Sequence, residues 1–148
     1  MKKMKKILFT VALVVSAAFV QADEIDDMIG GTGPTNVVTS VETMRSYAFA
    51  NIKGVTSVKA DEVVKIGVGC FNGCFSLEEI SLNGITDSQN FKGMLSGCKN
   101  LKAVYLDKME FEGVSKMNGF PWGVPIESRV KFYFKNGIFD KNGKAVEE

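Results

Sequence analysis

The chain has 148 residues, 45% of them hydrophobic and 24% charged, a length and balance that allow one globular domain. Lysine and arginine number 18 against 17 acidic residues, so the chain lacks the basic excess that a nucleic-acid partner requires. There is no histidine, which removes the commonest general base, the Ser/His and Cys/His nucleophile pairs and most zinc sites.

At the N-terminus, Met1 to Lys6 carries four lysines, Ile7 to Val20 is an apolar run of 14, and Val20-Gln21-Ala22 offers small residues before Asp23. This is the three-part form of a secretory signal peptide over residues 1–22, cleaved near Ala22. The run falls short of the roughly 20 apolar residues that span a bilayer, and it contains Thr10 and Ser16, so a membrane anchor is the weaker reading. No cysteine follows it directly, which argues against a lipid anchor. The mature chain is then 126 residues long, with 14 basic against 17 acidic residues and a net charge of −3. No later stretch approaches spanning length, so no membrane span is expected in the mature chain. The expected location is outside the cytoplasm: secreted, periplasmic or associated with the cell surface.

Residues 23–36 are acidic first and glycine-rich afterwards, and read as a flexible leader. The cluster Asp23, Glu24, Asp26 and Asp27 lacks the spaced oxygen ligands of a calcium loop, and Gly30-Gly31-Thr32-Gly33 lacks the flanking strand and helix of a phosphate loop. Apolar residues at 37, 41, 44 and 48 fit either one or two helical turns or the end of a degenerate repeat.

The centre of the chain repeats itself. The stretch Phe71 to Ile85 aligns without a gap to Leu95 to Met109 at a shift of 24, and to Phe49 to Val63 at a shift of 22. Periods of 20 to 30 residues mark stacked solenoid coils, each too small to bury its own apolar face. Within each unit the segments Val55 to Ala60, Leu77 to Leu82 and Leu101 to Leu106 end in the alternation of a strand with one buried face. Strands at this spacing, with turns marked by Gly54, Gly84 and Gly93, cannot be hairpins and must lie parallel, one per coil. Phe71, Cys74, Leu77, Ile80, Leu82 and Ile85 are therefore expected in the core. Val130-Lys-Phe-Tyr-Phe134 restores the alternation as the strand of a fourth, terminal coil. Gly113 to Ser128, with Pro121 and Pro125, reads as an irregular loop. Residues 135–148 form a terminal turn and tail: Asn136-Gly137 and Asn142-Gly143 suggest a small hairpin holding Ile138 and Phe139, with Lys144 to Glu148 frayed.

Three cysteines enter an oxidising compartment. Cys74 and Cys98 share a repeat position with Ile52, which favours buried free thiols; a disulfide through Cys74 is the alternative.

The strings Ser-Tyr-Ala-Phe49, Gly-Val-Thr-Ser-Val58, Ile66-Gly, Cys-Phe71-Asn-Gly-Cys74, Leu77-Glu-Glu-Ile80 and Ser-Gly-Cys98-Lys-Asn-Leu101 together resemble the BspA-type leucine-rich repeats of bacterial surface proteins. The likeness is strong over residues 37–109 and weaker over 110–134, and Leu95 and Asn90-Phe91 depart from the pattern. It implies an α/β-type, right-handed leucine-rich-repeat solenoid of three to four coils over residues 37–134, with a parallel β-sheet, little regular helix and a degenerate capping coil. It also implies a role in protein or surface binding rather than catalysis; the expected partner is a protein or a surface glycan, and no cofactor is expected.

Chemistry is sparse. Cys70, Cys74 and Cys98 contain no CxxC pair and no fourth soft ligand, so no metal site is expected. The carboxylate pairs Asp61-Glu62, Glu78-Glu79 and Glu110-Glu112 leave a glycosidase as a distant third reading. A structural subunit of a larger periplasmic or surface assembly is the second. The first uses what the repeat leaves outward: Ser57, Lys59 and Asp61; Glu79, Ser81 and Asn83; Ala103, Tyr105 and Asp107; then Arg129, Lys131 and Tyr133. The middle row is expected to run Lys59, Ser81, Tyr105, Lys131, at about 4.8 Å per strand. The candidate contact residues are Lys59, Glu79, Ser81, Tyr105, Lys131 and Tyr133. Trp122 joins them if exposed; as terminal aromatic cover it is instead an end cap, the favoured reading.

Overall fold

The structure is a computed structural model that describes residues 12–15 and 35–148. In chain order its strands are β1 (Ala12–Val15), β2 (Thr35–Thr39), β3 (Thr43–Met44), β4 (Val55–Lys59), β5 (Lys65–Ile66), β6 (Glu79–Ser81), β7 (Ala103–Leu106), β8 (Lys131–Phe134) and β9 (Gly137–Asp140). Helix is confined to one 3-10 turn, Val114–Lys116, among the described residues. Seven strands form one sheet in the order β1-β2-β4-β6-β7-β8-β9. All neighbours in it are parallel except β8 and β9. A second parallel ribbon, β3 beside β5, runs along the flank. The chain is a parallel-sheet solenoid of about three turns.

The coils are unequal. Opposite residues Ser57, Glu79, Ala103 and Lys131 are separated by 22, 24 and 28 positions. Their inward neighbours Val58, Ile80, Val104 and Phe132 form one row, each at most 2% exposed. Each such side chain contributes about 1.5–3 kcal/mol by leaving water. Phe71, Cys74, Leu77, Ile80, Leu82 and Ile85 are all buried, as their spacing predicts.

A strand forms only one side of a coil, and the return side must also satisfy its backbone. It does so by bonding each coil to the next: Phe49 N–H donates to Cys70 O at 2.9 Å, Phe71 to Met94 O at 3.1 Å, and Leu95 to Trp122 O at 2.9 Å. Asn51 and Gly73 add bonds to Asn72 O and Ser96 O, both at 2.7 Å. At this corner Asn51, Gly73 and Gly97 share a left-handed backbone, with φ of 61°, 79° and 78°. Glycine and asparagine tolerate that conformation best.

The three cysteines are free and buried, so no disulfide forms among them. Trp122 is 1% exposed and caps the last coil. Its ring lies 4.6 Å from Phe91, 5.1 Å from Phe120 and 5.6 Å from Phe132, between centroids.

Four expectations need correction. The segment from Thr35 is strand β2, so Thr35 and Asn36 belong to the sheet rather than to the leader; of the two readings of the apolar residues from Val37, the degenerate coil holds, since β2 pairs in parallel with β4, and the helical turn does not. The loop Gly113 to Ser128 contains a 3-10 turn. The last residues are tied down rather than frayed: Phe139 bridges Ala145 and Val146 N–H donates to Ile138 O at 2.9 Å. The fourth correction is the register of β8, described below. Of the expected signal peptide, only Ala12–Val15 is described, as β1, with Ala12 opposite Asn36. Its lysine-rich start, its cleavage position and residues 23–34 of the leader lie outside the described residues.

Candidate outward-face binding site

Pleating sends alternate residues of each strand away from the core, and parallel pairing aligns them into rows across the sheet. One outward row runs Asn36, Ser57, Glu79, Ala103, Lys131, Asp140. The next runs Val38, Lys59, Ser81, Tyr105, Tyr133, Ile138. The neighbour of Tyr105 is thus Tyr133, and Lys131 sits beside Ala103. The expected middle row, ending in Lys131, was displaced by two positions because the terminal coil spans 28 residues instead of 26. For the same reason Arg129 lies before the strand and does not extend the rows.

The N-terminal half of this face is a hydrogen-bonded lattice. Ser57 Oγ donates to Asn36 Oδ1 at 2.5 Å. Ser81 Oγ donates to Asp61 Oδ1 at 2.5 Å, and the same carboxylate accepts from Asn83 N–H at 2.9 Å. Asn83 Oδ1 in turn accepts from Asp107 N–H at 2.8 Å, one coil further on. These bonds absorb Ser57 and Ser81, which are buried, and leave Lys59 exposed. Glu78, next to the face, pairs with Lys102 at 2.9 Å on an exposed edge.

The C-terminal half carries an apolar cluster beside Lys131 and Asp140. Tyr105 and Tyr133 stack with centroids 4.8 Å apart and planes at 27°. With Ala103 they form a small buried cluster against which Ile138 packs. Tyr105 is 4% exposed and Tyr133 3%, so the two rings expected to stand in solvent are covered. Ile138 went unrecognised as part of this face, although the alternation in Gly137–Asp140 placed it on one side of a hairpin. The Tyr105 hydroxyl is buried without a hydrogen-bond partner. Burial raises its phenol well above the usual value, and the charges of Glu79, Tyr133, Glu148 and Asp107 add to the effect. The tail comes back to β8 at the edge of this half of the face. There Lys131 Nζ donates to Glu147 O at 3.2 Å.

Of the candidate residues, the structure therefore brings Ser81, Tyr105 and Tyr133 into one row with exposed Lys59, and places partly exposed Glu79 and Lys131 in the adjoining row. Trp122 belongs to the core at the end of the solenoid. Among the described residues no group of three or more His, Cys, Asp or Glu is placed to hold a metal ion, and no helix is long and apolar enough to cross a membrane.

Comparison with curated proteins gives no match, and comparison with solved structures gives none. The family model described as the BspA type leucine rich repeat region, in 6 copies, matches residues 34–117. That span is more than half of the chain and contains β2 through β7, and the chain belongs to this leucine-rich-repeat family.

Proposed function

We propose that this chain is an exported, non-catalytic module that binds a protein or glycan at the cell surface through the outward face of its parallel sheet. The family supports the coarser part: leucine-rich-repeat solenoids are typically binding scaffolds for proteins and, in the BspA type, usually extracellular or on the surface. The lysine-rich and apolar start of the chain supports export, with cleavage near Ala22. The observation that carries the choice of face is the pair of in-register rows, in which a stacked tyrosine pair shares one row with the exposed Lys59 and adjoins the partly exposed Lys131 of the other. Tyrosine combines apolar area with a polar end, the combination that protein contacts favour.

The test is capture on the immobilised chain from an extract of surface proteins and glycans. Lys59→Glu with Lys131→Glu is expected to reduce capture at least tenfold, whereas Lys116→Glu, on the exposed 3-10 turn, leaves it unchanged. Equal capture by all three proteins rejects the outward face. Fractionation tests export, and a chain found only in the cytoplasm rejects it; the first residue of the exported chain tests cleavage, with Asp23 expected and Met1 rejecting it.

A further inference from the structure

We infer that the cleft between the start of β8 and the turn after β9 binds an acidic sugar, a carboxylate carried on a pyranose ring, with Arg129, Lys131 and Lys141 holding the anion. The cleft adjoins the outward rows at Lys131, and the inference rests on the reading of that face as a binding surface. Its volume is about 250 Å³. Sites for drug-sized ligands run from about 300 to 1,000 Å³. This one suits a single ring with its acid group.

The first argument is charge. Antiparallel pairing sets Lys131 opposite Asp140, which brings the residues just before β8 beside the turn that follows β9. Arg129, Lys131 and Lys141 line the cleft against one carboxylate, that of Asp140. The turn already occupies it, since its Oδ1 accepts from Asn142 N–H at 2.8 Å and from Lys144 N–H at 3.0 Å. Among the described residues none of the three cations is ion-paired. Like charges around a recess repel one another and focus a positive potential inside it, which a bound anion relieves.

The second argument is the supply of donors. An ammonium has three N–H groups and a guanidinium five. Lys141 Nζ donates to Ile126 O and, at 2.8 Å, to Ser128 O, so it is held in place with one N–H left over. Lys131 Nζ uses one, on Glu147 O at 3.2 Å. The Arg129 guanidinium uses none among the described residues, and its planar fork is the group that matches a carboxylate.

The third argument selects the body that carries the acid. Val130 and Val146 give the cleft an apolar wall, and Ser128 and Asn142 give it neutral polar groups. Ser128 Oγ accepts from Val130 N–H at 3.2 Å, which leaves its own proton to donate. A pyranose offers C–H groups to the wall and hydroxyls to these two residues. The acidic side chain of a peptide meets the cations alone.

Sodium glucuronate is the probe, titrated into the purified chain with backbone amide NMR signals as the readout. Saturable shifts of Ser128, Lys131 and Asn142 are expected at millimolar glucuronate, with no response to glucose. Sodium acetate and N-acetylglutamate amide, which carry the acid without the ring, are expected to need at least tenfold more. Arg129→Gln, at an exposed position, is expected to weaken glucuronate binding at least fivefold, and Lys59→Glu, outside the cleft, to leave it unchanged. No saturable shift, an equal response to glucose, acetate or the glutamate amide, or an Arg129→Gln protein that binds like the parent would each overturn the acidic-sugar site. Surface capture that depends on Lys59 and Lys131 while glucuronate fails to bind rejects the cleft alone. Glucuronate binding with capture indifferent to those two lysines rejects the face instead.

Discussion

Cys98 donates its thiol proton to the carbonyl oxygen of Phe71 at 3.1 Å, and Cys74 makes the same bond to Phe49 O one coil earlier, at 2.9 Å. Each thiol thus acts as a small core residue that also ties its coil to the one before it. Burial pushes Cys98 up to about 12 and Cys70 up to about 11. At pH 8 roughly a thousandth or less of either is thiolate, the reactive form. A thiol reagent at pH 8 is expected to label neither in the native protein and all three cysteines after denaturation. Rapid native labelling of Cys70 or Cys98 would contradict their burial.

The same shifts set an alkaline limit on stability. In the unfolded chain these thiols ionise near 9, and in the fold only near 11 and 12. The folded values are raised, so the stabilisation is complete below pH 9 and is lost as pH rises through the folded values. Between pH 9 and 10.5 each thiol is expected to remove about 1–2 kcal/mol. Thermal melts across that range check this, and the fall should shrink in Cys98→Ala compared at matched pH.

Trp122 closes the solenoid against Phe91, Phe120 and Phe132. Trp122→Ala leaves a cavity at the end of the core and is expected to cost about 3–5 kcal/mol. Urea unfolding measures it. In the native protein the tryptophan emission is expected to be blue-shifted, moving to the red on unfolding.

Two glycines separate close approach from backbone conformation. A Cβ on Gly84 would sit 2.4 Å from Asp61 O and 2.7 Å from Val63 O, both backbone atoms of the preceding coil. Gly84→Ala is expected to cost about 1–3 kcal/mol or more through the forced backbone shift. A Cβ on Gly119 meets nothing within 4 Å, but its φ is +82°, and Gly119→Ala is expected to cost about 1–2 kcal/mol. A Gly84→Ala protein as stable as the parent would mean that neighbouring coils are not so close.

The Asp61–Asn83–Asp107 chain of side-chain bonds links three coils on the outward side. Asn83→Ala removes the acceptor of Asp107 N–H, and the expected loss is about 1–3 kcal/mol. Asn83→Asp keeps an acceptor and should lose less, as chemical denaturation of the two variants would reveal.

Much of this architecture could be read from residue spacing because each coil repeats the same inward positions. Val58, Ile80 and Val104 identify one row, and a row of three fixes the strands on either side. Cys74 and Cys98 were legible as core residues because Ile52 occupies the same position in the preceding unit. The terminal coil offered no such constraint. Its four extra residues fall in a loop without a repeated motif, so nothing local distinguished Tyr133 from Lys131 as the neighbour of Tyr105. The cover on the tyrosines was equally hidden, since it includes Ile138 of the terminal hairpin, which shares no pattern with the repeats. β2 escaped partly because Thr35 and Asn36 follow a glycine- and proline-rich stretch.

Strand β9 runs against all its predecessors in the sheet, and that reversal fixes the growing end. A further parallel coil cannot be appended beyond it without discarding the hairpin, so lengthening must occur by insertion between existing units. Residues 71–94 form a natural cassette, since the next unit begins at Leu95 in the same frame. Duplicating them should lengthen the molecule by about 4.8 Å, one strand spacing, while the aromatic end stays as it is. Small-angle scattering of such a protein would register the increment, and a collapsed or aggregated product would show that the units are not interchangeable.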